Sequence, residues 1–117
     1  MDELFEISLL LDFYGQLITK KQYEVLDLHY NSDYSLGEIA QYLNISRQGV
    51  YDNIKRGKAA LTDMEQKLCL VGRFMQQKEK AGTILKMLEG IDLSALAEKD
   101  AEGIMEARQA VRSIMEE

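Results

Sequence analysis

Apolar residues return at intervals of three and four along almost the whole chain, and no alternation of apolar and polar positions persists long enough for a strand. The pattern predicts an all-α fold. A first helix over residues 3–17 carries Leu4, Ile7, Leu10, Leu11, Tyr14 and Leu17 on a wide apolar face, and Gly15 and Gln16 blur its end. Thr19 and Gln22 have capping-box spacing, so a second helix should start at Lys20 and reach about Tyr30. Its apolar residues are Tyr23, Val25, Leu26, Leu28 and Tyr30, and Asn31, Ser32 and Asp33 then form a turn by composition.

The same box recurs at Ser35 and Glu38, which places a third helix from Leu36 with Leu36, Ile39, Ala40 and Leu43 facing inward. Ala40 is small where two helices would cross. Asn44 tolerates the left-handed conformation that turns the chain, and Ile45 plugs the corner. Ser46 can cap a following helix with Val50 and Ile54 inward. A short helix, a left-handed turn and a second capped helix together make a helix-turn-helix.

From Val50 onward the spacing becomes more regular. Val50, Ile54, Gly57, Leu61, Met64, Leu68, Val71 and Met75 alternate steps of four and three, a coiled-coil period. This predicts that the second helix of the motif runs on for roughly 30 residues, about 45 Å. Leu61, Met64, Leu68, Val71 and Met75 would form a seam, covered by the first helix, the C-terminal segment or a second copy of the chain; a homodimer is the expectation. Gln76 to Lys80 is polar, Gly82-Thr83 restarts a helix through Leu88, and Gly90 and Asp92 mark a break. Residues 100–116 make a last helix with Ile104, Ala107, Val111, Ile114 and Met115 at helical spacing. The expected division is residues 1–58, N-terminal helices and helix-turn-helix, and residues 59–117, a helical extension packed on the first part or on a second subunit.

Composition narrows the function. The chain has no proline, and a hydrophobic content of 46% suffices for a core. A single cysteine excludes an internal disulfide, and a single histidine beside it excludes a zinc site of ordinary make-up. No apolar run approaches the roughly 20 residues of a membrane span. Leu9-Leu10-Leu11 lies in an acidic segment without a basic leader, so a cytoplasmic protein is expected. The net charge of −6 argues against a strong general nucleic-acid binder, yet Arg47, Lys55, Arg56 and Lys58 stand against the single Asp52 in a chain that is acidic from Met1 to Asn44. Affinity from such a patch should be modest and salt-sensitive. A basic protein partner is equally permitted.

The candidate nucleic-acid contacts are Ser46, Arg47, Gln48, Tyr51, Asp52, Lys55, Arg56 and Lys58, at and after the start of the capped helix. Arginine can contact guanine or phosphate and glutamine adenine, while tyrosine can bond phosphate or stack on an unpaired base. Asp52 repels phosphate unless it accepts from cytosine or pairs with Lys55 or Arg56. An ordinary solvated helix face, or a protein-binding module, explains the same residues. His29 at a helix end and Cys69 between seam positions have no companions that suggest chemistry, and the methionines and tyrosines mostly read as core. With no metal-ligand spacing and no glycine-rich phosphate loop, neither an enzyme nor a cofactor is expected.

Two blocks carry a family resemblance. Ile18 to Tyr30, followed by the helix-turn-helix, resembles region 4 of bacterial sigma factors. More narrowly, Tyr34-Ser35-Leu36, Glu38-Ile39-Ala40 and Ser46-Arg47-Gln48-Gly49-Val50-Tyr51-Asp52-Asn53-Ile54-Lys55-Arg56, with Phe13-Tyr14 ahead of them, look like the YlxM-type helix-turn-helix proteins. The likeness covers about residues 4–75; residues 80–117 carry no matching motif. It implies a sigma-region-4-like helix-turn-helix with a long helical extension and C-terminal helices. It also implies a regulator linked to the signal recognition particle, because genes of this family lie beside those of the particle's GTPases. The chain is too short to hold the core-promoter-binding domains of a sigma factor. A regulator that binds RNA or DNA is therefore expected, with a component of the particle as a partner. A dimeric DNA-binding transcription regulator and a module that binds the targeting GTPase are the alternatives.

Overall fold

The computed structural model describes residues 2–116, which form α1 (Glu3–Tyr14), α2 (Lys20–Leu26), α3 (Leu36–Leu43), α4 (Arg47–Leu68), α5 (Leu70–Glu89) and α6 (Glu98–Glu116). Short 3-10 turns at Gly15–Leu17 and Leu93–Ala95 and a π-helical turn at Asp27–Asn31 complete the helical segments. No strand occurs among the described residues, as the spacing predicts. The chain separates into two compact units, Met1–Val71 and Gly72–Glu117. The boundary expected after residue 58 falls inside the continuous helix α4.

Local signals set most helix starts in the first unit. The Thr19 hydroxyl accepts from Gln22 N at 3.1 Å while the Gln22 side chain accepts from Thr19 N. Ser35 and Glu38 do the same for α3, and hydrogen bonds from the Ser35 backbone N–H first and its side chain second hold the Glu38 carboxyl below its usual range. Asp2 caps α1 by accepting from Phe5 N at 2.8 Å. Helices α1, α2 and α3 all pack on α4. The core beneath the motif is Val25, Ile39, Ala40 and Val50, bordered by Leu28, Tyr34, Leu36, Leu43, Ile45 and Ile54. Ile7, Leu10, Leu11, Tyr14, Leu26 and Leu61 extend the buried set.

Three expectations need correction. The second helix does not reach Tyr30 as an α-helix: from Asp27 the chain widens to a π turn, and His29 Nδ1 donates to the Tyr34 carbonyl at 2.8 Å. Helix α5 runs through Gly82 and Thr83 without a restart, the Thr83 hydroxyl bonding back to the Glu79 carbonyl. Most important, the long helix is not continuous. Cys69 takes the left-handed conformation, φ 55° and ψ 30°, and ends α4 after 22 residues. The break is held from a distance. The buried Tyr14 hydroxyl donates to Glu65 Oε1 at 2.6 Å and accepts from Leu70 N at 3.1 Å, and the same carboxylate oxygen accepts from Val71 N at 3.0 Å. The first N–H groups of α5, which no helical carbonyl can reach, are thus capped by side chains of α1 and α4.

The regular stripe is therefore shared between two helices and largely used within one chain. Leu61 and Val71 are buried, and Gly57 faces α2, where a Cβ would lie 2.7 Å from Leu26 Cδ1. Of the residues expected as a dimer seam, Met64 and Met75 are half-buried and Leu68 is the exposed one.

The second unit is an antiparallel helical hairpin. Arg108 of α6 donates to the Leu88 carbonyl from Nε at 3.1 Å and Nη2 at 2.8 Å, and to the Ile91 carbonyl at 3.1 Å, so one guanidinium closes the C-terminal end of α5. Asp92 starts the connecting turn by accepting from Ser94 N at 3.0 Å. Among the described residues of α6 none is fully buried.

Two stability outcomes follow from these contacts. Tyr14→Phe strands the Leu70 N–H and is expected to cost about 1–3 kcal/mol in urea unfolding. Burial and the Glu65 carboxylate raise the Tyr14 pKa, so the folded state holds the phenolic proton more tightly than the unfolded chain does. Stability from this group is complete below roughly pH 10 and declines as the pH rises toward the folded pKa; the Phe variant should lack that decline. Gly57→Ala places a methyl against the fully buried Leu26 and should lower stability by about 1–3 kcal/mol despite alanine's better helix propensity; a raised melting temperature would contradict the close α2–α4 crossing.

Candidate nucleic-acid interface

The motif is assembled by a left-handed residue between two caps. Asn44 adopts φ 57° and ψ 48°, and its N–H reaches back to the Ala40 and Gln41 carbonyls to end α3. Ile45 N bonds to the Ala40 carbonyl at 3.0 Å, which seats Ile45 against the core. The Ser46 hydroxyl accepts from Gly49 N at 2.9 Å and starts α4. The positions read from sequence as turn, plug and cap occupy those roles.

The eight candidate contacts divide into groups. Ser46 is used as the cap. Arg47, Gln48, Tyr51, Lys55 and Arg56 are exposed, Tyr51 to 51%. Asp52 is half-buried and accepts from Gln48 Nε2 at 3.0 Å, so its partner is Gln48 and neither Lys55 nor Arg56. Lys58 is committed elsewhere: its ammonium pairs with Glu3 Oε1 of α1, to which Tyr30 also donates at 3.0 Å, and it lies 5.7 Å from the Tyr30 ring centre. This arrangement raises the Lys58 pKa and lowers that of Glu3, chiefly through their mutual hydrogen bond. At about 100° per residue, Arg47 and Lys58 are the candidates nearest the buried Val50–Leu61 stripe. That position is why Lys58 reaches α1 and Arg47 lies next to Gly37 of α3 while Gln48, Lys55 and Arg56 point outward.

Arg47 is positioned by a missing side chain. Its guanidinium lies beside Gly37, where a Cβ would meet Nη2 at 3.0 Å and Cζ and Nε at 3.4 Å. Arg47 also lines an open depression of about 560 Å³ with Ser35, Glu38, Gln41, Asn44 and Ile45. Glu38 and Gln41 form walls of a second depression, about 370 Å³, closed by Tyr34 and Tyr42. The two tyrosine rings meet edge to face, with centroids 6.0 Å apart and planes at 80°.

Sequence reasoning missed Gly37, Gln41 and Tyr42. The signal was present for Tyr42, an aromatic outside the Leu36/Ile39/Ala40/Leu43 stripe, but reading the tyrosines mostly as core hid it. The correction extends to Tyr23: Tyr14 is buried, whereas Tyr23 and Tyr42 are exposed, Tyr42 to 68%, and Tyr51 is exposed as its place among the outward contacts implies. Met87 and Met105 are likewise exposed rather than core.

His29 is spent on the Tyr34 carbonyl and Cys69 is an exposed free thiol at the helix junction. Among the described residues no three His, Cys, Asp or Glu side chains gather where a metal could be held, and no helix is long and apolar enough to cross a membrane.

Comparison with known proteins places this geometry in a family. Residues 1–106 match the model of the family described as "UPF0122: Putative helix-turn-helix protein, YlxM / p13 like". The chain is 57% identical over 116 residues to a UPF0122 protein of Acetivibrio thermocellus, covering 99% of both chains. A UPF0122 protein of Thermoanaerobacter sp. is 43% identical over 115 residues, covering 98% of this chain and 96% of the relative. A third, from Halalkalibacterium halodurans, is 44% identical over 100 residues, 85% of this chain and 88% of its own. With its capped α3–α4 motif and a match along nearly its whole length, the chain belongs to the UPF0122 family of YlxM/p13-like helix-turn-helix proteins.

Proposed function

We propose that this protein is a cytoplasmic, non-enzymatic regulator that binds nucleic acid through the start of α4, with RNA of the signal recognition particle as its ligand. The observation that carries the reading is the concentration of outward-facing Arg47, Gln48, Tyr51, Lys55 and Arg56 on one capped helix of a chain whose net charge is −6. The acidic remainder limits nonspecific attraction to phosphate, so binding depends on a few placed contacts. The link to the particle rests on the resemblance to YlxM-type proteins and the placement of their genes. Duplex DNA remains the competing ligand, and a titration of both at one salt concentration separates them: nanomolar binding to an operator with none to the particle's RNA would make this a DNA-binding regulator.

A second reading, a protein partner or a second copy of the chain on the C-terminal hairpin, is supported by the exposed Ile84, Met87, Met105 and Ile114. Sedimentation tests it: a mass of twice 13.4 kDa across micromolar concentrations supports the dimer, and a clean monomer removes it.

In an anisotropy titration with the particle's RNA, Arg47→Ala should weaken binding by about 1–3 kcal/mol and flatten the salt dependence by about one ion. Gly37→Ala, which pushes the guanidinium from its seat without touching Arg47, should weaken binding in the same direction while leaving thermal stability unchanged or higher. Unchanged affinity in both variants, with folds intact by circular dichroism, would refute contact at this end of the helix.

A further inference from the structure

We propose that the α3 surface bounded by Tyr34, Gln41 and Tyr42 receives an unpaired nucleobase whose adjoining phosphate is held by Arg47. The proposal rests on the nucleic-acid reading above and names the form of ligand that this site takes. Tyr42 is 68% exposed, on a helix whose apolar stripe is otherwise turned inward, so packing does not account for it. Tyr34 meets it edge to face at 6.0 Å and supports the ring on one side while leaving most of it open to solvent. The depression beside the pair and the one beside Arg47 share Glu38 and Gln41 as walls, so a single nucleotide-scale surface runs from guanidinium to aromatic ring.

Charge orients the ligand along it. The Glu38 carboxylate, ionised and bonded to Ser35 N, repels a phosphate from the middle and the Tyr42 end, whereas the cation at Arg47 attracts one. A base is neutral, stacks on an aromatic face whatever its identity, and offers edges that the Gln41 amide can pair with. The bases of an intact duplex are stacked on one another and cannot lie on Tyr42; a bulge or loop supplies one that can.

The test uses the full chain and two RNA hairpins with the same stem, each closed by a non-nucleotide linker so that no loop bases are present, one carrying a bulge of unpaired residues and one fully paired, titrated at one ionic strength. Wild type should prefer the bulged hairpin. Tyr42→Ala should weaken binding to it by about 5- to 150-fold while leaving the paired hairpin unaffected. Tyr42→Phe should bind as wild type does, since the ring and not the hydroxyl makes the contact. Arg47→Ala should weaken both. Equal binding of the two hairpins by wild type, a preference that survives Tyr42→Ala, or a Phe variant as weak as the Ala variant would each overturn the stacking site while leaving nucleic-acid binding intact. Binding of neither hairpin, nor of the particle's RNA or operator DNA, would overturn both.

Discussion

A hydroxyl taken out of water must be given partners, and the one at Tyr14 organises the first unit through those it finds. It donates to Glu65 near the end of α4 and accepts from Leu70 at the beginning of α5, so three helices meet at one oxygen. The Glu65 carboxylate then reaches Val71, and the chain between them has room only for a single left-handed residue, Cys69. The length of α4 follows from this junction rather than from any breaker in its own sequence. With α4 ended and anchored on α1, its buried stripe is committed to α1, α2 and α3, and its other side is left to present Arg47, Gln48, Tyr51, Lys55 and Arg56.

What could be read in the sequence is what residues close together decide. The capping boxes at Thr19 and Ser35, the left-handed Asn44, the Ser46 cap and the inward set of α3 all depend on partners within four residues, and each is found where its spacing puts it. What could not be read depends on partners far along the chain. Tyr14 and Leu70 are 56 positions apart, and cysteine is not a residue that announces a left-handed cap. A four-three repeat continues across the break because Leu61 before it and Val71 after it are both buried, so periodicity alone cannot distinguish one helix from two. Lys58 illustrates the same limit: its charge suits a phosphate, but Glu3, 55 positions away, already holds it. Tyr42 was misjudged for a different reason, since an aromatic side chain reads as core whichever way its helix happens to turn it.

The candidate interface is built as much from what is absent as from what is present. The Arg47 guanidinium occupies space that a side chain at position 37 would fill, and a planar cation beside bare backbone keeps its donors available at the edge. Gln48 and Asp52 satisfy one another along the helix, which leaves Tyr51, Lys55 and Arg56 as the unengaged part of the outward face. Glu38, which caps α3, places a negative charge beside the arginine, so this end of the motif is not uniformly positive.

The two units differ in how much they hide from water, and that difference sets how each responds to thermal motion. The first buries a set of large side chains around α4, while α6 has no fully buried residue and the hairpin relies on the Arg108 clasp, the Arg112–Glu89 pair and half-buried contacts. Little apolar burial means that opening the hairpin costs less free energy than unfolding the core around α4. Amide protons of α6 should accordingly trade with solvent well before those of α4, marking the hairpin as a cooperative unit that opens separately from the core around α4.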